Sequence, residues 1–418
     1  MRRQPPAASP LSAAKLSLAA LDGLASAGGA RDALGAYLSE RFRAEAVLLT
    51  GSGTQALQLA LARATRRTGP GAPVALPAYS CYDLVSAAVG AGARVVFYDV
   101  DPVSLTPDPD SLDAAIDAGA RTVVAASLYG FPLDWGSLRR TCQASGALLV
   151  EDSAQGLGSG WAGAEGGTFG DLTVLSFGRG KGWTGGSGGA LLIRARTPTP
   201  GSRAEGADAP TAGAPEALPG APPLAGATAL AAVLAQWALG RPALYRLPGL
   251  VPGLALGETR YRPPASPARM SGFAAAAALR HASLALEAVP ARRGRAGAWH
   301  ELRDESGALP EGSAPCQPLA AGECGWLRCP LVAPDGARAE RLAREATNFG
   351  VARGYPVALP DLPAAAPLLA GAPGAFPGAR RLAETLLTLP THAAVARSDL
   401  RGVERVLRRA ASSRLTPK

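Results

Sequence analysis

An α/β fold is predicted by three features of this 418-residue chain: short apolar runs alternate with helical periodicity, glycine-rich and acidic motifs stand just after those runs, and 47% of the residues are hydrophobic, enough for a large core. The runs are Ala46 to Leu49, Val74 to Leu76, Arg94 to Tyr98, Thr122 to Ala126, Ala147 to Glu151, Leu172 to Phe177 and Ala190 to Ile193. Strand, helix, strand in repetition needs crossover connections, so the runs should form a mostly parallel sheet flanked by helices. Such sheets bind ligands at the carboxyl ends of their strands, where Thr54, Tyr79, Asp152 and Ser176 fall.

Two helices, Ala13 to Leu24 and Ala30 to Arg43, should precede the first run. The stretch from about Arg196 to Pro223 is rich in Ala, Pro, Gly and Thr without periodicity and reads as a linker or insertion. Helices should follow at Thr228 to Leu239 and Gly272 to Arg293, then a strand at Trp326 to Val332 and a helix at Ala337 to Phe349. The end, from Gly378, reads as helix, a turn at Leu389-Pro390, and helix. The expected layout is a disordered N-terminus (1–12), a large domain (13–195), the insertion (196–225), a helical segment completing the large domain (226–295) and a smaller C-terminal α+β domain (296–418).

Composition narrows the function classes. No apolar run reaches the roughly 20 residues of a membrane span, and no signal-peptide pattern opens the chain. The net charge of +9 comes from scattered arginines without aromatic-interleaved basic blocks, so nucleic acid is not an expected partner. Five cysteines without CxxC spacing argue against a disulfide framework or a structural zinc and fit a reducing cytoplasm. The histidines, His281, His300 and His392, lack ligand spacing and read as packing or surface residues, so no metal is expected.

Three segments concentrate the chemistry. Gly51-Ser52-Gly53-Thr54-Gln55 stands between the first run and an amphipathic helix continuing to Arg66. A helix beginning there aims N–H groups and the positive end of its dipole at an anion such as phosphate; an ordinary N-cap accounts for the same residues. Glu151-Asp152 closes a buried run. A carboxylate there needs a cationic partner, and a protonated pyridine nitrogen is one; a helix cap is the alternative. The third segment, Ser176 to Gly189, is the most glycine-dense loop and contains Lys181, although Lys15 and Lys418 are the only other lysines of the chain. A Schiff-base amine must be able to lose its proton, which arginine cannot do, so this position has a chemical reason to be lysine.

In order along the chain, GSGTQAL at Gly51, LPAYSCYDLVSAAVGAGARVVFYDVDP at Leu76, SLYGFPLDW at Ser127, EDSAQGLG at Glu151, FGDLTVLSFGRGKG at Phe169, ARMS at Ala268 and LPTH at Leu389 resemble the DegT/DnrJ/StrS-type family of pyridoxal 5'-phosphate-dependent aminotransferases, fold type I. The resemblance implies that Lys181 forms the Schiff base with the cofactor and Asp152 pairs with its ring nitrogen. It puts Gln155 near the phenolic oxygen, and Ser176 with the Gly53, Thr54 and Gln55 backbone at the phosphate. Because Cys81 stands where the family commonly has an aromatic, Tyr82 or Tyr79 would cover the ring, or the ring is covered differently. Tyr355-Pro356 falls where related proteins place a loop near substrate, a Pro-containing turn being the alternative, and Arg269 would reach a neighbouring subunit's site in a homodimer; Trp183, close to Lys181 in sequence, lines the pocket or simply packs. The family often has Asn after the lysine, Glu before the last Gly-Gly and Asn before the ARMS-like segment, where this chain has Gly182, Ser187 and Pro267.

The activity so implied is ping-pong transfer of an amino group from glutamate or glutamine to a keto acceptor, a nucleotide-linked keto-sugar, in polysaccharide or secondary-metabolite biosynthesis. A dehydratase or lyase on the same scaffold is the alternative within the enzymes, and a catalytically impaired scaffold or regulatory homologue the alternative outside them.

Overall fold

Runs of four or five residues rich in Val, Leu and Ala, apolar on both faces, become strands of a sheet covered on both sides. In this computed structural model, which describes residues 2–69, 71–194, 217–247, 259–306, 312–371 and 374–412, all seven apolar runs are strands within one residue of the expected bounds. They are β1 (Ala46–Thr50), β2 (Val74–Pro77), β3 (Val95–Tyr98), β4 (Thr122–Ala126), β5 (Leu148–Asp152), β8 (Leu172–Ser176) and β9 (Gly189–Ile193); two-residue strands β6 (Gly160–Trp161) and β7 (Ala164–Glu165) intervene. The sheet order is β1-β9-β8-β5-β4-β2-β3. It is parallel from β8 to β3, whereas β9 runs antiparallel to both β8 and β1.

The helices are α1 (Ala13–Ala25), α2 (Ala27–Phe42), α3 (Gly53–Thr68), α4 (Asp83–Ala91), α5 (Pro109–Asp117) and α6 (Trp135–Ser145), then α7 (Ala225–Leu239) and α8 (Gly272–Ser306). Residues of α3 and α4 share one core with the sheet, those of α5 and α6 another, and α1, α2, α7 and α8 a third beside β8 and β9. From β2 the chain goes to β3 on one side and then returns to β4 on the other, a reversal that opens a crevice at the carboxyl ends of β2 and β4.

Beyond α8 come β10 (Ala314–Pro315), β11 (Gly322–Glu323), β12 (Arg328–Val332), α9 (Gly336–Glu345), β13 (Ala352–Arg353), α10 (Pro377–Thr385), β14 (Leu386–Pro390) and α11 (Arg397–Ser412). Strands β10-β12-β14-β13 form an antiparallel sheet with its own core, and β11 pairs with β6 of the large domain.

Three expectations change. Leu389-Pro390 is the end of strand β14, whose five residues are all buried, and not a turn between helices. Helix α8 does not stop at Arg293: it passes through Pro290 to Ser306, so the 295/296 boundary falls inside one helix. Of residues 2–12, expected to be disordered, 2–5 lie against the small domain, where Gln4 is fully buried and its amide donates to Asp399 Oδ2 at 2.7 Å, while Leu11 and Ser12 pack on the large domain. The insertion expected at 196–225 lies mostly outside the described residues, between 195 and 216.

Candidate functional site

Side chains alternate across a strand, so the two acids closing β5 face opposite ways. Glu151 is fully buried and accepts from the N–H groups of Gly167, Phe169 and Gly170 and from the hydroxyls of Ser153 and Thr173. It orders the turn leading into β8. Asp152 takes one backbone bond, from Ala154 N at 3.0 Å. Burial raises its pKa from the ordinary carboxylate value, and the nearby Lys181 charge works the other way. A buried carboxylate with so little hydrogen bonding suits a cationic ligand.

Lys181 stands half-buried in the loop between β8 and β9. The next residue, Gly182, has φ +80°, and a Cβ there would lie 2.5 Å from Arg292 Nη1. Glycine therefore admits the Arg292 guanidinium, which is 4% exposed, donates to Leu157 O and has its pKa lowered to about 10 by burial. Trp183 turns away into the core, its indole N–H donating to Ala278 O at 2.7 Å and its ring edge-on to Phe177. A small cavity along this loop is lined by Ser153, Ala154, Ser176, Phe177, Lys181 and Trp183, among others.

At the other end, β1, β9 and β8 bring Thr50, Gly189 and Ser176 into one row, and α3 begins just beyond it. Ser52 caps that helix, its hydroxyl accepting from Gln55 N at 3.2 Å. The Gln55 side chain accepts from Gly51 N and donates to Ser266 O, tying down the 266–268 segment. Gly53 packs so tightly on Ser176 that a Cβ would stand 2.7 Å from the serine's Cβ. The first turn of α3, with Gly53 and Thr54, thus meets the Ser176 hydroxyl, which suits a phosphate group.

The β2–α4 turn supplies Tyr79, Cys81 and Tyr82. Tyr79 (fully buried) and Tyr82 (4% exposed) accept from the backbone N–H groups of Tyr355 and Val357 at 2.9 and 3.0 Å. Half-buried Cys81 donates to Asp83 Oδ2, and its thiol is pushed up to about 12, chiefly by desolvation, with Asp83 raising it and Lys181 lowering it. Gln155 accepts from Tyr129 N at 3.2 Å and donates to the Tyr355 hydroxyl at 2.8 Å. Arg269 is exposed, bridging to Thr50 through its backbone and contacting Leu218 O.

Lys181, Asp152, Gln155, Ser176 and the start of α3 therefore gather at the carboxyl edge of the sheet, joined by Tyr82, Tyr79 and Tyr355. Trp183 borders the small cavity beside Lys181 while its indole is bonded into the core, and Arg269 is exposed on the surface of this chain. Sequence reasoning missed Glu151's clamp, Arg292 beneath the lysine loop, and Tyr129. The last holds φ 55°, a left-handed backbone rare for an aromatic, directly after β4. The histidines pack: His281 lies between Ala277 O and Ser12 N, and His392 bonds Pro5 O. Among the described residues no cluster of His, Cys, Asp or Glu could hold a metal ion, and no helix is long and apolar enough to cross a membrane.

Residues 13–197 match the model of the DegT/DnrJ/EryC1/StrS aminotransferase family. A dTDP-4-dehydro-2,3,6-trideoxy-D-glucose 4-aminotransferase of Saccharopolyspora spinosa is 38% identical over 133 residues, 32% of this chain and 34% of that protein. The matched segment thus spans about a third of that relative's length. In structure, a Streptococcus pneumoniae protein in its PMP form superposes with a TM-score of 0.72 at 19% identity, covering 98% of each chain. An aminotransferase from Streptoalloteichus hindustanus gives 0.70 at 24% identity, again over 98% of each. The described residues have the fold of these proteins, and residues 13–197, the part that carries Lys181 and Asp152, match the DegT/DnrJ/EryC1/StrS aminotransferase family model.

Proposed function

We propose that the protein transfers an amino group, with pyridoxal phosphate as cofactor, from an amino acid donor, glutamate or glutamine, to a keto acceptor, a nucleotide-linked keto-sugar. The observation that carries this reading is the convergence of an amine, a buried carboxylate and an anion cradle at one sheet edge. Lys181 and Asp152 interact electrostatically, while Gly53 and Ser176 pack together at the start of α3. The donor set fits the cofactor's three polar ends: Lys181 for the aldehyde, Asp152 for the ring nitrogen, and Ser176 with the Gly53 and Thr54 amides for the phosphate. The sugar acceptor is suggested by what the relative's name says of that protein.

When bound, the cofactor supplies an electron sink for the donor's α-carbon. Asp152, flanked by β4 and β8, would hold the ring nitrogen in its protonated form, because a charged pair there would relieve the carboxylate's desolvation. Lys181 would hold the cofactor through its aldehyde end, and its amine, when free, would move a proton at the reacting carbon. Gln155, held by Tyr129 N and the Tyr355 hydroxyl, orients its amide toward the same space. A homodimer, with Arg269 reaching the neighbouring subunit's site, belongs to this proposal too and rests on the family resemblance alone.

The test is the visible spectrum of the protein supplied with pyridoxal phosphate, before and after glutamate, beside Lys181→Ala. The expected result is a band that requires Lys181 and is bleached by glutamate, with multiple turnover lost in the variant. Full multiple-turnover transamination by Lys181→Ala would overturn the mechanism. A chain with no lysine-dependent band would be a scaffold that has lost the chemistry.

A further inference from the structure

We propose that Tyr355 is the aromatic wall of the cofactor pocket, filling the side that Cys81, with its single sulfur, leaves open. The proposal rests on the pyridoxal phosphate reading above.

The other aromatics of the crevice are committed. Tyr79 and Tyr82 are buried, and their hydroxyls hold the N–H groups of Tyr355 and Val357. They act as posts for the 354–359 segment, which is fastened a third time where Leu359 N donates to Ala78 O at 2.8 Å. What these bonds position is the Tyr355 ring. It is half-buried, stacks on Tyr129 at 6.4 Å and 18°, and meets Tyr79 and Tyr82 at 5.8 and 6.0 Å. Its hydroxyl is fixed by Gln155 Nε2 at 2.8 Å, three residues after Asp152. Cys81 and Tyr355 both pack against the large core cluster, and the thiol is among the groups whose charge acts on the Tyr355 hydroxyl, whose pKa burial chiefly raises.

A flat cationic ring gains most from an aromatic face, and Tyr355 is the partly exposed ring that the crevice offers. Because it arrives from the small domain, the pocket is complete only when that segment is docked.

The test is titration of cofactor-free protein with pyridoxal phosphate, read by the lysine-dependent absorption band, by its induced circular dichroism and by the dissociation constant. Tyr355→Phe should bind as the parent does. Tyr355→Ala and Tyr355→Leu should bind about tenfold more weakly, the loss of one stacked ring, with a diminished dichroic band. Adding Cys81→Phe to Tyr355→Ala should restore both. Melting temperature identifies any variant that fails to fold, and Tyr355→Leu, close in volume to the parent, then carries the comparison. A folded Tyr355→Ala or Tyr355→Leu with the parent's constant and dichroism overturns the role of Tyr355 alone. A parent chain with no lysine-dependent band overturns the cofactor reading, and this proposal with it.

Discussion

Adjacent carboxylates with opposite fates show how much a single strand position decides. Glu151 meets three N–H groups and two hydroxyls, whereas Asp152 meets one N–H and the field of Lys181. The sequence marks the pair as unusual, but only the register of β5 between β4 and β8 says which acid faces the crevice. The raised pKa of Asp152 has a sign. A folded-state pKa above the unfolded value means that the native state loses stability as pH climbs through that window, relative to a neutral side chain. Cofactor-free Asp152→Asn should therefore melt above the parent at pH 7 and converge with it near the acid limit, while losing the lysine-dependent cofactor band. Equal melting temperatures at pH 7 would contradict a desolvated carboxylate.

At the scale of an element, the start of α3 joins two readings that the sequence left open. Ser52 is an ordinary N-cap, with its hydroxyl on Gln55 N, and the same turn is pressed onto Ser176 through Gly53. Gly53→Ala places a Cβ 2.7 Å from Ser176 Cβ and 2.9 Å from its Oγ. One element must shift, at a cost of about 1–3 kcal/mol. Chemical denaturation should show this loss, and pyridoxal phosphate should bind more weakly than to Ser52→Ala, which removes only a cap worth about 1 kcal/mol. Equal cofactor affinity in the two variants would separate α3 from the phosphate site. The strands were legible because apolar runs bounded by turns leave few alternatives; β14 was not, because Leu386 to Pro390 carries its proline at the edge of the run, where it reads as a break.

For the molecule as a whole, the small domain reaches the site through two segments, 354–359 and 325–327. Tyr79 and Tyr82 hold the 354–359 loop by backbone N–H groups, and Leu327 N and Gly325 N reach back to Tyr129 O and Gly130 O. Tyr79→Phe leaves the Tyr355 amide without its acceptor, a loss of about 1–3 kcal/mol. Hydrogen exchange should report faster exchange at 355, and the Tyr79→Phe/Tyr82→Phe pair faster exchange through 357. Unchanged protection in the double variant would mean that the loop is held by something other than these hydroxyls.

The sequence by itself determined the strand–helix alternation, the lysine in its glycine loop and the acid at the end of β5, because each is written in local chemistry: apolar periodicity, backbone freedom, and one amine that can lose a proton. Tertiary structure alone decided that Glu151 is a structural clamp, that Gly182 makes room for Arg292, and that Tyr79 and Tyr82 hold the loop that carries Tyr355. Apart from Ser153, the partners in those outcomes lie 16 to 276 residues away, and no local pattern encodes which distant side chain will fill a given space.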